Sequence, residues 1–263
     1  MHDALRAAAH AGAAAIECSL DLQRTRTRVE PDATGWTWQG RRFPYLDACR
    51  ERTVYYWDGA AFAPVARFST ALIKLVPTAW GPPTFEIDGI KMLPTARASP
   101  TADAARKVAL IRPRGKRVLD TCGGLGYFAA CCLRGGARLV LSYENSADVI
   151  WLRSLNPWSP GHDARLTLIQ GDVAAQVGAL PSASLDAILH DPPRFGIAGE
   201  LYAQAFYDQL ARVLRRKGRL FHYTGAPNRL TSGRDVPNEV AKRLRRAGFG
   251  VELIGDGVLA VRH

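Results

Sequence analysis

VLDTCGGLGYFA, residues 118–129, decides how the chain folds. An apolar run ends in an acid at Asp120, glycines follow at 123, 124 and 126, and Tyr127-Phe128-Ala129 begins a helical pattern. The order is strand, tight turn, helix. Gly124, Gly126 and Ala129 satisfy G-x-G-x-x-G/A, the spacing that lets a backbone approach a dinucleotide's pyrophosphate. Asp120 argues against that ligand. A pyrophosphate would lie on this turn against backbone N–H groups and a helix N-terminus, and a carboxylate beside it would repel it. The same carboxylate attracts a ligand carrying an ammonium and a sulfonium, a description that fits S-adenosylmethionine (SAM).

Strand and helix alternate from there on. RLVLSYE ends in Glu144, placed to accept ribose hydroxyls, and LTLIQGDV ends in Asp172-Val173, placed at the adenine. LDAILHD and GRLFHYTG are further strands, and VELIGDGVLAVRH is a closing hairpin. The pattern predicts an α/β, Rossmann-like fold with a seven-stranded, mostly parallel sheet. Asp120, Gly123, Gly124, Gly126, Glu144, Asp172, Val173 and Asp191 are the expected cofactor contacts. LYAQAFYDQLARVLRRKG reads as one helix with a basic tail.

Before Trp80-Gly-Pro-Pro83 the grammar differs. Alternating segments, an Asp-Gly turn in TVYYWDGAAF and a helix over YLDACRER predict a small β-rich domain over residues 1–83, with 84–263 as the SAM-binding domain. Trp36, Trp38, Tyr56, Trp57 and Trp80 serve its core better than an aromatic cage. The 263 residues carry a formal charge of +11, which fits a nucleic-acid partner but also arginine-rich helix tails. The five cysteines lack zinc spacing and an even count, so free thiols in the cytoplasm and no metal are expected. No apolar run is long enough for a bilayer.

TVYYWDG, PPTFEIDGIKM, VLDTCGGLGY, LNPWS, ILHDPPRFGIAGELY and LFHYTG together resemble the predicted archaeal methyltransferases, a group of class I SAM-dependent methyltransferases related in fold to spermidine synthase. The resemblance covers residues 53–235 and implies that fold, SAM as cofactor and an N-terminal domain capping the acceptor. Leu93, Gly123 and Ala226 stand where the group's pattern has His, Thr and Asn, which implies a changed acceptor.

His190-Asp191-Pro192-Pro193-Arg194-Phe195 resembles the D-P-P-Y of amino-methyltransferases. Asp191 and His190 are therefore catalytic candidates, with Pro192, Arg194 and Phe195 around the acceptor. Tyr223, just before the turn that follows LFHY, is a third catalytic candidate, and Tyr202, at the start of the next helix, a further acceptor contact. In LFHYTG, strand alternation turns His222 and Tyr223 to opposite faces, so at most one faces the site. A small nitrogen heteroaromatic is the expected acceptor, an indole methylated at C3 as in physostigmine biosynthesis being the concrete case. A tRNA base is the alternative. Exposed strands of the first domain make a homodimer geometrically feasible.

Overall fold

The computed structural model describes residues 1–194, 196–225 and 235–263. Its contacts divide the chain into two units: Met1–Pro100 with Ser154–Trp158, and Thr101–Arg153 with Ser159–His263.

The first unit begins with α1 (His2–His10) and has three small antiparallel sheets. Strands β1 (Ile16–Cys18), β2 (Thr27–Pro31), β3 (Gly35–Trp38) and β4 (Arg41–Pro44) pair in chain order, and β5 (Tyr55–Trp57) pairs with β6 (Phe62–Pro64). The third sheet contains β7 (Ala66–Phe68), β8 (Leu72–Val76), β9 (Thr84–Ile87) and β10 (Ile90–Lys91). Trp36 stacks on Phe43 at 4.5 Å, and Trp57 meets Phe43 and Phe62 edge-on, so these tryptophans belong to the core. Trp80 is half exposed.

Two expectations are corrected here. Residues beyond 83 stay with the first unit, because Thr84–Ile87 pairs antiparallel with Leu72–Val76; that unit's first segment runs to Pro100. YLDACRER forms no helix. Leu46 is held from outside instead: its carbonyl accepts from Arg6 and its N–H donates to His2 Nδ1.

The second unit opens with α2 (Pro100–Ile111). Then come β11 (Arg117–Asp120), α3 (Tyr127–Arg134), β12 (Leu139–Glu144), α4 (Ala147–Leu155), β13 (Leu166–Gln170), α5 (Val173–Gln176) and β14 (Leu185–His190). After α6 (Gln204–Val213) follow β15 (Leu214–Tyr223), α7 (Val236–Arg246), β16 (Phe249–Ile254) and β17 (Gly257–Arg262). The seven strands lie in the order β13-β12-β11-β14-β15-β17-β16, the first five parallel and β17 antiparallel between β15 and β16. Phe206, Tyr207, Leu210 and Val213 of α6 pack in the main core with Leu185, Ile188 and Leu220.

The basic tail read as helix is the start of β15. Leu214 is buried beside the sheet, Lys217 takes φ +62°, and a Cβ at Gly218 would press on Leu214, so the chain folds into a bulge there.

Charge is segregated along the strands. Lys116, Arg117, Arg138, Arg215, Arg216 and Lys217 lie at or just before strand starts, where Asp186 is the acid paired with Arg215. Burial lowers the Lys116 pKa, and Arg219 and Arg112 add to the effect. The acids Asp120, Glu144, Asp172 and Asp191 lie at or just after strand ends. Among the described residues no helix is long and apolar enough to cross a membrane.

Candidate functional site at the strand ends

The glycine turn and the ends of β11, β12, β14 and β15 meet at one edge of the sheet. Gly126 has φ +82°, and a Cβ there would sit 2.7 Å from the Arg153 guanidinium and from Pro160. At Gly123 a Cβ would collide with Ser142 Oγ. That explains the departure at this position: the hydroxyl of Ser142 fills the space and donates to Asp120 Oδ2 at 2.9 Å.

Asp120 is fully buried, and its Oδ1 has no hydrogen-bond partner among the described residues. Burial pushes its carboxyl up to about 7, against smaller lowering effects from Ser142 and Arg153. Glu144 accepts from Gly124 N–H and Ser146 N–H, both at 2.9 Å, which ties the end of β12 to the glycine turn. Burial raises its pKa too. Asp172 caps α5 by accepting from Ala174 N–H at 2.8 Å, and Val173 beside it is buried.

A second cluster surrounds Asp191. Its Oδ2 is 3.3 Å from Lys107 Nζ, which is 2.8 Å from Asp103 Oδ2 and 3.6 Å from the centre of the Tyr223 ring. Burial raises the Asp191 pKa, and Lys107 opposes that shift. Arg106 joins Asp103 to Asp256 at 2.9 and 2.7 Å.

Three expected roles change. His190 is buried: its Nε2–H donates to Leu201 carbonyl oxygen at 3.0 Å, and its Nδ1 accepts from Thr121 Oγ at 2.7 Å. A carbonyl can only accept, so this tautomer is fixed and the ring is a brace rather than a base. Tyr202 is buried and its hydroxyl donates to Pro193 carbonyl oxygen, holding the proline turn rather than an acceptor. Tyr223 has a raised pKa, mainly from burial, so its phenol stays protonated and can donate but cannot serve as base. His222, as alternation requires, turns away from Tyr223's side; it is buried against Tyr207, whose hydroxyl lies 3.0 Å from His222 Nε2.

Pro192 is buried and Arg194 half-buried, its carbonyl accepting from Ile197 and Ala198 N–H. Phe195 and Ala226 lie outside the described residues. Sequence reasoning missed Lys107, Asp103 and Arg153. The four-residue spacing of Asp103 and Lys107 was a visible sign, as was a single arginine inside the apolar VIWLR.

The buried His190 and His222 of the second unit make the fold sensitive to acid. Burial lowers His190 to about 4 and His222 well below the ordinary value. The unfolded chain therefore binds more protons between pH 6.5 and 4, and the stability present above 6.5 is lost as pH falls. For His190 alone the loss is about 3 kcal/mol. Replacing it with Gln, which cannot ionise, should flatten the denaturant midpoint over that range, and an unchanged slope would refute the assignment.

No family model matches the chain. Polyamine aminopropyltransferase 2 of Streptomyces coelicolor is 40% identical over 76 residues, 28% of this chain and 14% of that protein. A spermidine synthase solved with the transition-state analogue AdoDATO superposes with TM-score 0.62 at 17% identity, covering 81% of this chain and 80% of that one. An S-adenosylmethionine-dependent methyltransferase from Mesorhizobium loti gives TM-score 0.47 at 17% identity, covering 61% and 96%. The Rossmann-like fold with a mixed seven-stranded sheet is shared with the spermidine synthase. The uncharacterised protein MJ1233 of Methanocaldococcus jannaschii is 39% identical over 210 residues, 78% of this chain and 72% of that protein. With that identity along most of both chains, the protein belongs to the MJ1233 family.

Proposed function

We propose that the protein is a SAM-dependent methyltransferase that acts on a carbon or nitrogen of a small, indole-type heteroaromatic. The buried Asp120 oxygen without a donor carries this reading, because a ligand bearing positive charge and N–H or O–H donors would satisfy it. SAM supplies an electrophilic methyl group on a cationic sulfur. At Gly126 the glycine turn packs against Arg153 and Pro160, and Glu144 keeps lone pairs for ribose hydroxyls beyond those its two backbone donors use.

Asp191 is the group that takes a proton. SAM, when bound, would supply the methyl and retain its sulfur as a neutral thioether, and the proton lost from the acceptor N–H would pass to the Asp191 carboxylate. Its raised pKa suits that role better than an ordinary aspartate would. Tyr223 donates to the acceptor, and the Pro192–Arg194 turn positions it. The basic residues at the strand starts, at the other end of this unit's sheet, give an RNA acceptor little support.

Methyl-labelled SAM offered with a panel of indoles and with bulk tRNA tests the reading. Label should move to an indole, and Asp191→Asn should lower turnover by about 10²–10⁴-fold. Label in acid-precipitable RNA would establish the alternative instead.

A further inference from the structure

Lys107 carries a full charge with almost no access to water, its side chain being 1% exposed. Its ammonium lies between Asp103 Oδ2 and Asp191 Oδ2, over the Tyr223 ring, with the Phe128 ring centre 5.5 Å away. Helices α2 and α3 and the ends of β14 and β15 all contribute. Two carboxylates and an aromatic face form the set of groups that recognises an alkylammonium. Burial lowers the Lys107 pKa, but Asp191 and Asp103 more than compensate, and it is raised. The ammonium is the stable occupant of a site built for an amine.

Resting on the methyltransferase reading, we propose that Lys107 determines acceptor specificity: its ammonium fills, from inside the fold, the position a cationic amine would take between Asp103, Asp191 and Tyr223. The acceptor beside Asp191 is then a neutral ring, and an aliphatic diamine is excluded. The exclusion separates this chain from proteins named for polyamine transfer that share its fold. Two features reinforce it. Arg106 bridges Asp103 and Asp256, so the remaining acids around the site already face a cation of the protein. Removing Lys107 would leave Asp191 without its counter-ion beside an aromatic face, with Asp103 still held by Arg106, which is a vacant amine site.

The test is chemical replacement of the ammonium, measured on the full chain without SAM. Lys107→Ala removes the atoms that propylammonium would restore, and Lys107→Met removes little more than the terminal nitrogen, which the ammonium ion would restore. Calorimetry and melting curves compare propylammonium, ammonium and putrescine chlorides with sodium chloride at matched ionic strength. Wild type should show no saturable amine binding. Lys107→Ala should bind propylammonium and putrescine with a dissociation constant of about 1 mM or tighter, and adding Asp191→Asn should weaken this at least tenfold. Should Lys107→Ala fail to fold, Lys107→Met should show saturable stabilisation by the ammonium ion alone.

Putrescine binding by wild type, or a folded variant without saturable amine binding, would overturn the proposal. Because none of these readouts uses methyl transfer, the amine result stands apart from the methyltransferase test. An amine site opened in the variant, with no labelled indole from wild type, would sink only the activity.

Discussion

Asp120→Asn should stabilise the protein in the absence of cofactor at pH 8 and abolish cofactor binding. The carboxyl titrates near 7 in the fold and near 3.8 when unfolded. The folded chain therefore binds more protons between those values, and stability falls as pH rises from 3.8 to 7, then stays low. The penalty at pH 8 is at most about 4 kcal/mol. Asn keeps the acceptor for Ser142 and removes the charge, so the melting temperature should rise by roughly 5–10 °C.

Binding should show the mirror image. A cationic ligand pulls the Asp120 pKa down, so wild type should release close to one proton on binding below pH 7, and its affinity should climb as much as tenfold per pH unit until 7. Calorimetry in buffers of different ionisation enthalpy measures that proton. An Asp120→Asn protein that binds SAM as wild type does, or wild-type affinity independent of pH, would remove Asp120 from the site. Over pH 4–6.5 the Asp120 trend opposes that of the histidines, so the acid sensitivity should be steeper in Asp120→Asn than in wild type.

Arg153→Met should be the most destabilising single change at the site, by about 3 kcal/mol. The guanidinium is buried under the glycine turn, where it donates to Ser142 Oγ at 3.3 Å, and its charge lowers the pKa of both Asp120 and Glu144. Met fills much of the volume and leaves two buried acids without their cation. A drop of roughly 6–12 °C in melting temperature is expected. Adding Asp120→Asn should recover part of the loss, since one of the stranded charges is gone. Strictly additive effects in that double-mutant cycle would show the cost to be packing alone.

Sequence reasoning reached the parallel sheet, its strand ends and its closing hairpin because each depended on local pattern. Asp120 and Glu144 end their strands as their position after apolar runs required. What failed was long-range. The arginines after Val213 look like a helix tail, and only the pairing of β15 with β14 and β17 makes them strand. His190 looks chemically active in HDPPR, yet it is held between Thr121, 69 residues away, and the Leu201 carbonyl, which the intervening turn brings back to it. Lys107 stayed hidden because Asp191 is 84 residues away, so only the fold brings the pair together.

The excess of basic residues over acids at the strand starts gives the second unit a positive pole at that end of its sheet. In the field of a polyanionic surface such a body turns before it touches. On a cation-exchange or heparin matrix it should adsorb by its positive pole, leaving the glycine turn pointing toward the mobile phase. Immobilised in that orientation, the protein should keep its SAM affinity, whereas random coupling through surface amines would lose part of it.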